Sequence, residues 1–180
     1  TAFQVFNYFC PAQLNQAKQI MGGVIDIPSF YETLSGRENL RLLASLSNYL
    51  PSKSEIETIT SMVGIESIID KPVVTYSNGQ KRRLSIAQAL LPRPQIIVLD
   101  EPTSGLDPQG VKSIRNLILQ LNQEYGLTVF FSSHLLSEVQ KICNRISIIN
   151  KGKIIKTADV QDFLFDSFFS ILATPAESLL

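Results

Sequence analysis

The chain has 180 residues, enough for one domain with a sizeable core, and 44% of them are apolar. Sixteen basic and sixteen acidic side chains cancel, so there is no electrostatic footprint for nucleic acid. No uninterrupted apolar run reaches the roughly 20 residues that cross a membrane, no basic-then-apolar leader opens the chain, and Cys10 and Cys143 lack metal-ligand spacing, which reads as buried free thiols in a reducing compartment.

Residues 1–10 mix aromatics without a clear period, and residues 11–20 are polar with some helical character. Residues 21–28, MGGVIDIP, read as a short strand closed by proline. Phe30 and Tyr31 follow, two adjacent aromatics favoured as core, with a partner-facing groove as the alternative. Ser35-Gly36-Arg37-Glu38 is a capping box ahead of Leu40, Leu43 and Leu46 at helical spacing. Arg37, Glu38 and Arg41 read as a solvated helix face. Ser52-Lys53-Ser54-Glu55 is a second capping box, with Ile56, Ile59 and Val63 on one face and Gly64 as the stop. Ser77 then suits an N-cap before a helical pattern over residues 81–91, while Asn78 and Gly79 tolerate unusual backbone angles. Free amides at that helix start suit a phosphate.

The central element is Ile96-Ile97-Val98-Leu99, a strand that reads as buried on both faces, followed by Asp100 and Glu101. A parallel strand delivers its last side chains to the crevice where open α/β sheets bind ligands. Two unpaired carboxylates there would cost several kcal/mol, which implies a cation, a proton or a donor. Successive strand residues point to opposite faces, so the two should do different jobs. Residues 102–108, PTSGLDP, form a tight polar loop with a turn-then-helix ending. Val111, Ile114, Leu117, Ile118 and Leu121 mark an amphipathic helix ending near Gly126. Thr128–Phe131 reads as a second buried strand, with Ser132, Ser133 and His134 at its C-terminal end. A helix over 135–143 and a hairpin around residues 150–152 follow. Residues 159–165 look helical. The densest apolar stretch, 163–173, is interrupted by Asp166, Ser167 and Ser170.

Three pieces in this order resemble the ATP-binding subunits of ABC transporters. Ser77-Asn78-Gly79-Gln80 resembles the signature motif, with Asn78 where a second glycine is usual. Ile96–Leu99 with Asp100 and Glu101 resembles the Walker B strand and its catalytic glutamate. Ser104-Gly105-Leu106-Asp107 resembles the D-loop. Each alone is a capped helix, a buried strand or a turn; all three in register are specific. The resemblance runs from the N-terminal tenth of the chain to about residue 155.

The resemblance implies an α/β fold, a P-loop NTPase-type parallel sheet core with a helical subdomain at about 32–92 and the Walker B, D-loop and switch-histidine region at 93–158. It implies ATP and Mg2+ as cofactors. Asp100 would hold the metal, with Glu101 and His134 catalytic. Ser77, Asn78, Gly79, Gln80 and Asp107 would bind nucleotide across a head-to-tail dimer. Asp26 occupies the place of the family's Q-loop glutamine; a plain strand-end turn residue is the alternative. The implied partners are a second ATPase subunit and a transmembrane permease, on the cytoplasmic face of the membrane. The stretch GVIDIPSFYETLSGRENL resembles exporters of the antibiotic and bacteriocin self-protection kind. One departure is large: no G-x-x-x-x-G-K-[ST] occurs, the only Gly-Lys pair being Gly152-Lys153 before Ile154. The expectation is therefore a sheet missing its first strands and the phosphate-binding loop, inactive alone. The rival is a truncated or degenerate subunit that only binds a partner. A soluble relative acting on DNA or ribosomes is disfavoured by the neutral charge and by the lack of a coiled-coil insertion.

Overall fold

The computed structural model describes residues 3–5, 8–10, 20–25 and 29–162. They belong to two compact units, 1–134 and 135–180.

The first unit begins with an antiparallel pair, β1 (Phe3–Val5) and β2 (Tyr8–Cys10), in a stretch whose mixed aromatics show no period in sequence. Its centre is a parallel sheet ordered β3-β4-β5, with β3 at Met21–Val24, β4 at Ile96–Leu99 and β5 at Thr128–Phe131. Val24 is level with Leu99, and Leu99 with Phe131, so the three strands finish at one height. The ladder continues one rung further: the Asp100 amide donates to the Val24 carbonyl at 2.9 Å and the Ser132 amide to the Leu99 carbonyl at 3.0 Å.

Among the described residues three α-helices lie between β3 and β4, each started by a serine. Helix α1 (Gly36–Ser45) is capped by Ser35 and α2 (Lys53–Met62) by Ser52, both through complete capping boxes. Gly64 takes φ +69 just past the end of α2, the left-handed C-terminal position that glycine accepts without a Cβ clash. Helix α3 (Asn78–Leu90) packs on β3 and touches α1, α2 and α4 (Pro108–Gln123), which in turn covers β5. Leu40, Ile56, Leu84, Ile86, Ile97 and Ile114 are wholly buried and join these layers. At Gly22 the strand crosses α3 so closely that an added Cβ would sit 2.1 Å from the Ala89 carbonyl oxygen.

Several expectations change. β4 is not covered equally on both faces: Ile97 and Leu99 are buried, while Ile96 and Val98 are half-buried. β5 is less covered still, with Phe130 60% exposed, because among the described residues β4 is its only strand neighbour. Tyr31 is exposed rather than core, and Phe30 is half-buried. Arg37 is not merely solvated: its guanidinium donates to both oxygens of Asp70, at 2.6 and 3.1 Å. Asp26 lies outside the described residues.

In the second unit, α5 (Leu136–Ile142) precedes a hairpin of β6 (Arg145–Asn150) and β7 (Lys153–Asp159). Lys151 and Gly152 both take positive φ, which matches the turn to the strands' right-handed twist. Asp159 is the last residue of β7 rather than the start of a helix, because it pairs with Arg145 across the ladder. Cys143 is free and half-buried, and burial pushes its thiol pKa up. The side chain of Cys10 and the stretch 163–180 lie outside the described residues.

Candidate functional site

The chemistry gathers where β4 and β5 end. Asp100 is exposed, and its Oδ1 accepts a hydrogen bond from the Ser132 hydroxyl at 2.5 Å. The backbone then bends: Glu101 sits at φ +43, a conformation that L side chains rarely adopt. Three contacts hold it there. Its amide donates to Ser132 Oγ at 2.9 Å, and its carbonyl accepts from the Ser104 amide at 3.0 Å, closing the loop. Its Oε2 meets His134 Nδ1 at 2.9 Å. An ionised carboxylate only accepts, so Nδ1 carries the hydrogen in this pair. That leaves Glu101 Oε1 and His134 Nε2 open to a ligand.

Asp100 and Glu101 therefore point differently for a reason other than simple strand alternation. Glu101 has already left the strand, and its backbone turn aims its side chain at β5's exit. Ser132 is the residue that sequence reasoning leaves without a role. Its signal was weak: a serine two positions before the histidine, on the strand that the parallel order places beside β4.

A second cluster lies at the start of α3. Ser77 Oγ accepts from the Gln80 amide at 3.3 Å, and Gln80 Oε1 accepts from the Ser77 amide at 2.8 Å. Both side chains are thus used in capping. Asn78 and Gly79 are ordinary helical residues, not unusual ones, because the turn into the helix is made at Ser77 with φ −66 and ψ 163. A helix leaves its first amides without intrahelical acceptors; Ser77 takes that of Gln80, so those of Asn78 and Gly79 head the helix. Space in front of Gly79 is open, since an added Cβ would meet only Ser77 Oγ, at 4.0 Å. Lys81 is bound to Glu32 at 2.7 Å. A small crevice of about 50 Å³ joins Asn78, Lys81 and Arg82 to Ser104, Gly105 and Leu106, bringing the helix start beside the polar loop. Asp107 closes that loop as N-cap of α4, its Oδ1 accepting from the Gly110 amide at 3.3 Å, with Pro108 in the first turn.

Among the described residues no three His, Cys, Asp or Glu side chains gather to hold a metal by themselves. Asp100 offers one free carboxylate oxygen. That fits magnesium, which keeps several waters and is bound through one or two carboxylates plus phosphate oxygens.

The family model described as "ABC transporter" matches residues 8–104, more than half of the chain. The chain belongs to the ABC transporter family. It is 42% identical over 142 residues to the ABC transporter ATP-binding protein YcbN of Bacillus subtilis, covering 79% of this chain and 46% of that one. It is 40% identical over 136 residues to the bacitracin transport ATP-binding protein BcrA of Bacillus licheniformis, covering 76% and 44%. The lantibiotic transport ATP-binding protein SrtF of Streptococcus pyogenes is 38% identical over 135 residues, 75% of this chain and 58% of that one. The chain spans about half the length of the curated relatives it matches. Among solved structures, cbiO1 of Clostridium perfringens, part of the ABC transporter complex cbiONQ, superposes with TM-score 0.79 at 24% identity, over 96% of this chain and 72% of that one. A dimeric ATP-binding cassette in a post-hydrolysis state, bound to ADP and Pi, superposes with TM-score 0.70 at 24% identity, over 88% and 73%. The ABC ATPase fold, a P-loop NTPase-type parallel sheet with helices, is thereby shown. Among the described residues no helix is long and apolar enough to cross a membrane.

Proposed function

We propose that this chain is the signature and Walker B portion of an ATP-binding subunit that couples ATP binding and hydrolysis to export across a membrane. The observation that carries the reading is the Glu101–His134 contact at the ends of two adjacent parallel strands, 2.9 Å apart, in a chain of this family. Bound magnesium–ATP would supply the reacting phosphoanhydride and the cation that neutralises its oxygens. Asp100 presents its free oxygen to that cation. Glu101 offers Oε1 to a water and accepts its proton, while His134 fixes the carboxylate through its Nδ1–H; contact with the terminal phosphate would use a second ring hydrogen, on Nε2. The amides of Asn78 and Gly79 donate to the phosphate held by a second subunit. Ser77 and Gln80 set those amides by capping, and Asp107 sets the loop between the clusters. Asp26 belongs to the same reading as the residue in the Q-loop place. The stretch 32–92 serves as the helical subdomain that meets a permease, which puts the chain on the inner face of the membrane. The names of the bacitracin and lantibiotic relatives support an antimicrobial peptide as cargo. These 180 residues contain no phosphate-binding lysine loop, so we expect them alone to release no phosphate from ATP.

The test fuses the phosphate-binding loop of a relative ahead of Thr1 and follows ATP-dependent association by gel filtration. Glu101→Gln should trap a closed dimer, because it removes the proton acceptor and lessens repulsion with the phosphates. Ser77→Arg should prevent closure while nucleotide binding persists, and Asp100→Asn should weaken magnesium-dependent binding itself. Association of Ser77→Arg as readily as Glu101→Gln would sink the signature assignment.

A further inference from the structure

We infer that Ser132 is a positioning residue, whose single hydroxyl ties the Asp100 carboxylate and the Glu101 backbone amide at the end of β4 to the end of β5. The inference rests on Asp100 and Glu101 serving nucleotide hydrolysis. A serine hydroxyl has one hydrogen and two lone pairs. Here the hydrogen goes to Asp100 Oδ1 at 2.5 Å, and a lone pair takes the Glu101 amide at 2.9 Å. The backbone amide of the same residue donates to the Leu99 carbonyl at 3.0 Å, so the hydroxyl is anchored on the last rung of the sheet.

Two consequences follow. Asp100 has one oxygen committed, which leaves the other directed at the place of the cation. Glu101 is held at φ +43, a strained backbone state that persists only where neighbours enforce it. Its amide bond to Ser132 is one of those enforcing contacts, and its carboxylate bond to His134 is another. His134 is two residues beyond Ser132 on the same exit. A shift of that exit therefore moves the metal-facing carboxylate, the water-facing carboxylate and the histidine together. Alanine at 132 would uncouple them, whereas threonine would keep the hydroxyl.

Amide hydrogen exchange on the 180-residue chain, without nucleotide, tests the lock directly. In Ser132→Ala the Glu101 amide should exchange about threefold to tenfold faster, the change expected for losing one partly exposed hydrogen bond. Ser132→Thr should return it to the wild-type rate, and the Leu99 amide should be unchanged in both, showing that the sheet is intact. Equal Glu101 exchange in all three proteins overturns the inference. With the phosphate-binding loop supplied, Ser132→Ala should lower kcat by a similar factor while KM for ATP stays within about twofold, and Ser132→Thr should recover it. If Glu101→Gln is inactive but Ser132→Ala turns over at the wild-type kcat, the positioning inference fails alone. If Glu101→Gln turns over like wild type, the hydrolytic reading falls and takes the catalytic part of the inference with it.

Discussion

The three serine-capped helix starts and the exit of β4 and β5 are built by opposite means. At Ser35, Ser52 and Ser77 a serine and a Glu or Gln three residues later satisfy each other's backbone amides. Everything needed lies within four positions. At the strand exit the contacts join Asp100 to Ser132 and Glu101 to His134, 32 and 33 residues apart. The first construction is cheap in loop entropy and stands by itself; the second exists only after the sheet has formed. The local construction sets where backbone amides point. The long-range one sets where carboxylates point, and it tolerates a strained Glu101 because Ser132, His134 and the Ser104 amide hold it. Stability and activity should therefore separate between the two regions.

The largest expected effect tests that separation at the exit. With the phosphate-binding loop supplied, Glu101→Gln or His134→Ala should each cost about a hundredfold or more in turnover. Neither side chain is buried, so the melting temperature should move by only a degree or two. A large loss of stability in either variant would mean that the exit is a structural element, and the contrast would collapse.

How far the sequence was legible follows the same division. The capping boxes at Ser35 and Ser52 and the stop at Gly64 were readable because each depends on neighbours in the chain. So were the three strands as elements, each a short run separated from the next by helical patterns, although their order in the sheet came only with the structure. Asn78 and Gly79 keep ordinary helical angles, because tolerance of rare angles is only a permission, and the capping by Ser77 made ordinary angles sufficient. Phe130 misled because hydrophobicity alone does not say which edge of a sheet is covered. Ser132 was invisible as a partner, since pairing it with Asp100 requires the parallel register of β4 and β5. The positive φ of Glu101 has no sequence signal either: glutamate does not favour it, and only the surrounding contacts impose it.

A middle-sized effect probes the packing that lets the two regions coexist. Gly22 lets β3 lie against α3, with the Ala89 carbonyl where a Cβ would be. The clashing atom is backbone, so Gly22→Ala must displace the strand or the helix. It should destabilise by roughly 1–3 kcal/mol in urea melts. A melt unchanged from wild type would show that this crossing is looser than drawn.

The cap itself is the next step down. Ser77→Ala removes the acceptor for the Gln80 amide and should cost about 1 kcal/mol, or a fall of about 2–4 °C in a chain of this size. Ser77→Thr should recover most of it. If Ser77→Ala also abolishes ATP-dependent association while Ser77→Thr restores it, the local construction is serving the phosphate through its amides, and the two regions meet in one function.

The smallest effect concerns the second capping box and is read in pH. The Glu55 carboxylate accepts from the Ser52 amide at 2.9 Å, from the Tyr49 hydroxyl at 2.8 Å and from the Ser52 hydroxyl at 3.0 Å. These bonds, the Ser52 amide foremost, lower its pKa from 4.5 to about 2. The folded value lies below the unfolded one, so the unfolded chain binds more protons between them. Stability from Glu55 is then complete above about pH 4.5 and is lost as pH falls toward about 2. Glu38 in the first box is lowered for the same reason, by its bonds to Ser35. Glu55→Gln keeps an acceptor for the amide but removes the charge. The stability gap between wild type and Glu55→Gln should be greatest near neutral pH and shrink as the urea midpoint is followed down to about pH 2. A gap that stays constant across that range would mean that the bonds of Glu55 do not depend on its charge, and that the cap works through shape alone.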